Sequence, residues 1–269
     1  MALRNVWKVM EKLAPLRFAE KWDNVGVLID SFSDPRVSKE GKYHLLLCND
    51  VNEQIVDEAI DFEAAAIISY HPIIFRGIKK VTPNDRISRI VVKCIQNNIA
   101  IYSPHTACDA APGGVNDWIV EGLGPIVSSE PIDKNDEDPH YGCGRLVVLQ
   151  EPYPSLDTMI QQLKTHFGIP HVQVASELPF STPIKTVAVC AGSGNSVICG
   201  KKADLYVSGE LEHHNILDAI ANNTSVIVCN HSNSERGYLK ELKNKLEQEL
   251  GEQYAFKLSL IDKDPLSVY

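Results

Sequence analysis

The chain has 269 residues, of which 44% are hydrophobic and 23% charged, a balance that reads as globular with ample length for a buried core. Its formal charge of -9, without a dense Lys/Arg block, argues against direct nucleic-acid binding, because phosphate backbones select basic surfaces. No stretch approaches the roughly 20 apolar residues that cross a bilayer, and the N-terminal segment reads as neither signal nor transit peptide, so no membrane contact is expected.

Elements follow in order. Val6, Val9, Leu13 and Leu16 mark a helix in NVWKVMEKLAPL. YHLLLCND (43–50) is a strand, NEQIVDEAIDF a helix, AAAIISY (64–70) a strand, RISRIVVKCIQNN (86–98) a helix, IAIYSPHT a strand and VNDWIVEGLG a helix. Residues 125–143 are rich in Pro, Ser and acidic side chains and read as a connector. Beyond it, strands are expected in GRLVVLQEP, HVQVASE, IKTVAVCA, DLYVSGE, SVIVCNH and AFKLSLID. Helices are expected in SLDTMIQQLKTHFG, LEHHNILDAIANN and SERGYLKELKNKLEQELG. The alternation predicts two α/β lobes with mainly parallel mixed sheets flanked by helices: 1–124, then the connector, then 144–269, with the last part packing back on the first lobe. Seven scattered cysteines without a CxxC read as buried reduced thiols, and so as a cytoplasmic protein.

Polar residues gather where the predicted strands end, at SYHP (69–72), SPHTACD (103–109), VSGELEHH (207–214) and CNHSNSE (229–235). His105 with Asp109, and His231 with Glu235, repeat an imidazole and a carboxylate four residues apart. Each pair alone reads equally as a helix cap. Joined with His71 they form a ligand set suited to a divalent ion such as Zn, Fe, Mn or Ni. Gly192 and Gly194 in AGSGNS (191–196) could hold an anion on backbone amides or simply make a tight turn. One of His213 and His214 is expected to turn toward the strand ends. Trp22-Asp23-Asn24 reads as a packed turn or a pocket wall. Cys108 is a weak nucleophile candidate.

The segments KWDNVGVLI, ISYHPIIFRGIK, YSPHTACDAAPGGVNDWI, VSGELEHHNIL and NHSNSERG occur in the order and spacing of the Nif-three-like dinuclear metal-centre family. Some bacterial members of that family are labelled GTP cyclohydrolase I type two homologues. The resemblance runs from about residue 5 to residue 265. It implies a toroidal homohexamer, a trimer of dimers, with metal sites facing a cavity. It implies His71, His105, Asp109, His231 and Glu235 as metal ligands, Glu235 bridging two ions, with Tyr70, Glu210 and His214 lining the substrate pocket. Many relatives carry a second histidine where this chain has Tyr70. Tyrosine, with a reference pKa of about 10, is a poor neutral-pH ligand, so one firm ion on His71, Asp109 and Glu235 is expected, with a weaker second. The function implied is a metal-dependent hydrolase acting on a small nucleotide-like or phosphorylated substrate, with Glu235 or His105 handling the proton. The alternative is a non-catalytic metal-handling protein, or a factor with a protein partner linked to transcription and access to the nucleus.

Overall fold

The computed structural model describes residues 2–31 and 33–268, and it is a mixed α/β protein with two mixed sheets flanked by helices. The chain divides into two compact units. The first comprises Met1–Cys108 and Leu239–Lys263, the second Asp109–Tyr238 and Asp264–Tyr269. The division therefore falls inside a short helix at 106–110 rather than in the 125–143 segment.

The first unit opens with α1 (Ala2–Leu13), which buries Leu3, Val6 and Met10 on one face. It continues with β1 (Gly26–Ile29), β2 (Tyr43–Cys48), α2 (Glu53–Asp61), β3 (Ala64–Ser69), α3 (Arg86–Gln96), β4 (Ala100–Ser103) and the start of α4 (Thr106–Ala110). Asn52 and Asp85 cap α2 and α3 by accepting from Ile55 N and Ser88 N, which fixes where each helix leaves its loop. Later the chain adds α9 (Tyr238–Leu250) and β11 (Tyr254–Leu258). The sheet order is β1-β4-β3-β2-β11, parallel except for the short antiparallel β1. β3 is buried at every position, as expected for a central parallel strand covered on both faces. Ile55, Ala59, Ile90 and Cys94 from the helices pack with Leu46, Ile67 and Ile101 from the strands.

The second unit holds α5 (Val115–Glu121), β5 (Ile126–Lys134), β6 (Gly142–Leu149), α6 (Leu156–Phe167), β7 (Gln173–Ala175), β8 (Thr186–Ser193), α7 (Asn195–Ile198), β9 (Leu205–Glu210), α8 (His213–Ala221) and β10 (Ser225–Val228). Its order is β5-β6-β8-β9-β10-β7. β8, β9 and β10 form a parallel centre bracketed by antiparallel strands, so this sheet is mixed. The expected connector is corrected here. Residues 126–134 form the edge strand β5, paired along β6. Pro131 lies within it, and an edge strand tolerates proline because its outer N–H positions need no partner. Beneath β6, the buried Arg145 guanidinium grips both oxygens of Asp117 and the backbone carbonyls of Ala111, Gly142 and Gly144. All seven cysteines are free thiols. Among the described residues, no helix is long and apolar enough to cross a membrane.

Candidate metal centre

In open α/β sheets, functional groups collect beyond the carboxyl ends of parallel strands. In the first unit three such ends meet. Asp50 follows β2, His71 follows β3 and His105 follows β4. The backbone sets their spacing: His71 N donates to Asn49 O at 3.0 Å, and His105 N to Tyr70 O at 3.2 Å. Ser69 Oγ donates to His71 O at 2.6 Å, and Ser103 Oγ to Tyr70 O at 2.8 Å. The two imidazoles lie edge to face with ring centroids 5.2 Å apart.

Each ring is held by a carboxylate. His71 Nδ1 donates to Asp50 Oδ1 at 2.9 Å, and His105 Nδ1 to Asp23 Oδ1 at 2.8 Å. A carboxylate only accepts, so a proton resides on Nδ1, and in the neutral ring the lone pair lies on Nε2. Asp23 Oδ2 also takes the Thr106 amide and hydroxyl. Burial alone would push the Asp23 carboxyl up. The hydrogen bonds from His105 and Thr106, with the imidazole's charge, outweigh it and hold the pKa below its ordinary value. His105 itself sits at φ 34, a conformation uncommon outside glycine that aims the ring toward Asp23.

The second unit builds a comparable corner from β8, β9 and β10. Gly192 lies near the end of β8, Glu210 ends β9, and His231 follows β10. His231 Nδ1 donates to Glu210 Oε1 at 2.8 Å, leaving Nε2 3.2 Å from Glu235 Oε1. Glu235 is 3% exposed, and a buried carboxylate needs a cationic or hydrogen-bonding counterpart. A helix cap does not explain this pair. His231 caps nothing with its side chain, a short 3-10 turn at Ser232–Ser234 follows, and α9 begins only at Tyr238. Gly192, at φ +60, keeps the corner open. A Cβ there would stand 2.7 Å from Glu235 Oε1 and 2.9 Å from His231 Nε2.

The donor set and the space beside it fit a divalent ion. Imidazoles backed by a carboxylate on Nδ1 are the usual arrangement of metal-ligating histidines. Thiolate does not compete. Burial, with the charges of Glu235 and Asp264, pushes the Cys229 thiol up to about 12. Cys108 is buried.

The remaining expected residues fall as follows. Asp109 is half-buried in α4, where its charge bears on Cys190 and its backbone carbonyl accepts from Asn116 Nδ2. The carboxylate on His105 is Asp23, from a segment read as turn or pocket wall. Tyr70 is fully buried, with its ring edge-on to His71 and His105. Glu210 acts as the partner of His231. His213 and His214 are both exposed at the start of α8, so neither turns inward. In AGSGNS the amides of Ala191, Gly192 and Gly194 are committed to Asn116 Oδ1, Ser234 Oγ and Glu210 O. That loop offers close backbone approach, not an open anion cradle. Asp50 had no spacing signal, since its partner is 21 residues away. Its place after an apolar strand was the one available hint.

A family model described as Duf34/NIF3 (NGG1p interacting factor 3) matches residues 1–265. NIF3-like protein 1 of Drosophila melanogaster is 41% identical over 266 residues, covering 98% of this chain and 88% of that protein. NGG1-interacting factor 3 of Saccharomyces cerevisiae is 38% identical, covering 96% of this chain and 93% of that protein. Among solved structures, a Bacillus cereus protein related to NIF3 superposes with a TM-score of 0.84 at 22% identity, covering 99% of this chain and 98% of that one.

Proposed function

Because this chain belongs to the Duf34/NIF3 family, we propose that it is a metal-dependent hydrolase acting on a small nucleotide-like or phosphorylated substrate. The observation that carries this reading is the buried Glu235 carboxylate held 3.2 Å from Nε2 of His231, with Gly192 leaving no side chain between them and the β8 end. Within the second unit, His231 and Glu235 would offer the ion an imidazole nitrogen and a carboxylate oxygen, and His71 is the ligand that the sequence resemblance adds. Asp109 and His105 would serve as further ligands, with a second ion held more weakly because Tyr70 replaces a nitrogen donor. When bound, the cation supplies Lewis acidity for hydrolysis.

The chain's own groups do the rest. Asp50, Asp23 and Glu210 fix the three imidazoles with the proton on Nδ1. His105 can accept a proton at Nε2 while Asp23 stabilises the resulting imidazolium. Glu235, poorly hydrated, is the second candidate for holding a proton.

Elemental analysis of the purified protein, followed by turnover assays on nucleotides and phosphoesters with Zn, Fe, Mn or Ni, tests the reading. Turnover above that of a His71→Ala, Glu235→Ala double variant is expected. Equal rates would remove the enzyme assignment.

A second reading draws on the printed name of the yeast relative, which identifies that protein as an NGG1-interacting factor. On it, the chain handles metal or binds a protein partner without turnover. Partner capture that depends on His231 would favour this reading. The homohexamer implied by the sequence resemblance is checked by sedimentation velocity, where a monomer at micromolar concentration would rule it out.

A further inference from the structure

The first unit carries exposed aromatic surface beside its imidazoles, which the proposed chemistry does not use. Trp22 is 61% exposed and Phe75 44% exposed, although large aromatic side chains are normally well covered. Their ring centroids lie 5.9 Å apart at 62°, and both stand edge-on to His105, at 6.0 and 6.4 Å. Backbone and side chain hold the pair in place. Asn24 Nδ2 donates to Ile74 O, tying the two aromatic segments together, and Asp23 anchors His105 next to Trp22. The platform is therefore built into the same loops that position His105.

Phe75 opens the segment FRGIKKVTP (75–83), which contains Arg76, Lys79 and Lys80 and no acidic residue. Arg76, Lys79 and Lys80 are exposed. With three cations and no carboxylate in nine residues, this short loop offers positive charge to an anion in a chain of net charge -9. Aromatic faces next to basic side chains suit a planar ring that bears a negative group, since stacking tolerates any π-face and the cations attract the charge.

We propose that Trp22 and Phe75 form a stacking shelf for a planar heteroaromatic ring, with Arg76, Lys79 and Lys80 receiving an anionic substituent such as a phosphate. The proposal rests on the hydrolase reading only in placing this ligand as that site's substrate; ring binding itself requires no turnover.

The test uses the full chain, both chelator-treated and metal-loaded, titrated with AMP, adenosine, ribose 5-phosphate and inorganic phosphate. Tryptophan emission and calorimetry are followed, and the difference between wild type and Trp22→Phe isolates the Trp22 signal from Trp7 and Trp118. AMP and adenosine should quench Trp22 emission, and the two non-aromatic probes should not. Trp22→Ala and Phe75→Ala should each weaken AMP binding about tenfold or more, in line with stacking energies. Both positions are exposed, so the fold should tolerate these changes. Joint substitution of Arg76, Lys79 and Lys80 by Ala should weaken AMP while leaving adenosine unchanged. AMP affinity equal to wild type in Trp22→Ala and Phe75→Ala overturns the shelf. So does a concentration-dependent blue shift of Trp22 without any response to AMP, which would assign the surface to a second copy of this chain. Quenching without turnover leaves the shelf standing and counts against the hydrolase reading alone.

Discussion

At the scale of single residues, the carboxylates behind the histidines decide what the imidazoles can do. Glu210 holds His231 Nδ1, so Glu210→Gln removes the charge that keeps the proton there and frees the ring to turn. Metal affinity should fall about 10- to 100-fold, the usual range for such outer partners, read by competition with a chromophoric chelator. An unchanged affinity would mean that His231 is oriented by other contacts. Gly192→Ala is the harsher change. Its Cβ meets Glu235 Oε1 and His231 Nε2, and φ +60 alone costs about 1–2 kcal/mol for a residue with a Cβ. Loss of metal binding together with a lowered Tm is expected; retention of both would show that the corner can relax around a methyl group. Sequence reading proposed His71 and His231 because they close apolar runs, and Glu235 because it lies four residues beyond His231. It could not supply Asp50 or reassign Asp23, because those hydrogen bonds span 21 and 82 positions of chain.

At the scale of elements, β11 is tied to the first unit by α2. Glu58 takes the Ser259 hydroxyl at 2.5 Å and the Leu260 amide at 3.0 Å, and pairs with Lys257 at 3.1 Å. Burial would raise the Glu58 pKa, but the hydrogen bonds from Ser259 and Leu260 and the Lys257 charge together lower it from the usual 4.5. A carboxylate with a depressed folded pKa contributes stability above its unfolded pKa, and that contribution is lost as pH falls through the folded value. Glu58→Gln should therefore cost about 1 kcal/mol at pH 7 in urea melts, and the difference should vanish under acid conditions. A difference that persists at low pH would assign the loss to packing. The elements that sequence pattern misplaced were marginal ones. β5 is largely exposed and interrupted by Pro131, so it lacks the apolar run that identifies a buried strand. β1 has four residues and gains its identity from pairing with β4. α9 starts at Tyr238, after the 3-10 turn at Ser232–Ser234.

At the scale of the whole molecule, a bound ion adds stability by linkage. Saturation at about 100 times Kd is worth about 2.7 kcal/mol. Chelation should lower Tm, re-addition of metal should restore it, and His231→Ala should abolish the response. A Tm indifferent to chelator in the wild type would argue that no ion is held.

The sequence by itself determined the α/β class, the central buried strands and the family, because apolar periodicity and ordered motifs are local properties of the chain. Only the tertiary structure decided which carboxylate serves which histidine, that Glu210 is a partner of His231, and that the Ala191, Gly192 and Gly194 amides are spent internally. Those outcomes depend on distances between segments far apart in sequence, set by strand register and loop path. The pair His231 and Glu235 could have been a cap on a long helix. The structure leaves it uncapping, at strand ends brought together by the fold with Gly192 beside them, which is the corner proposed above to take an ion.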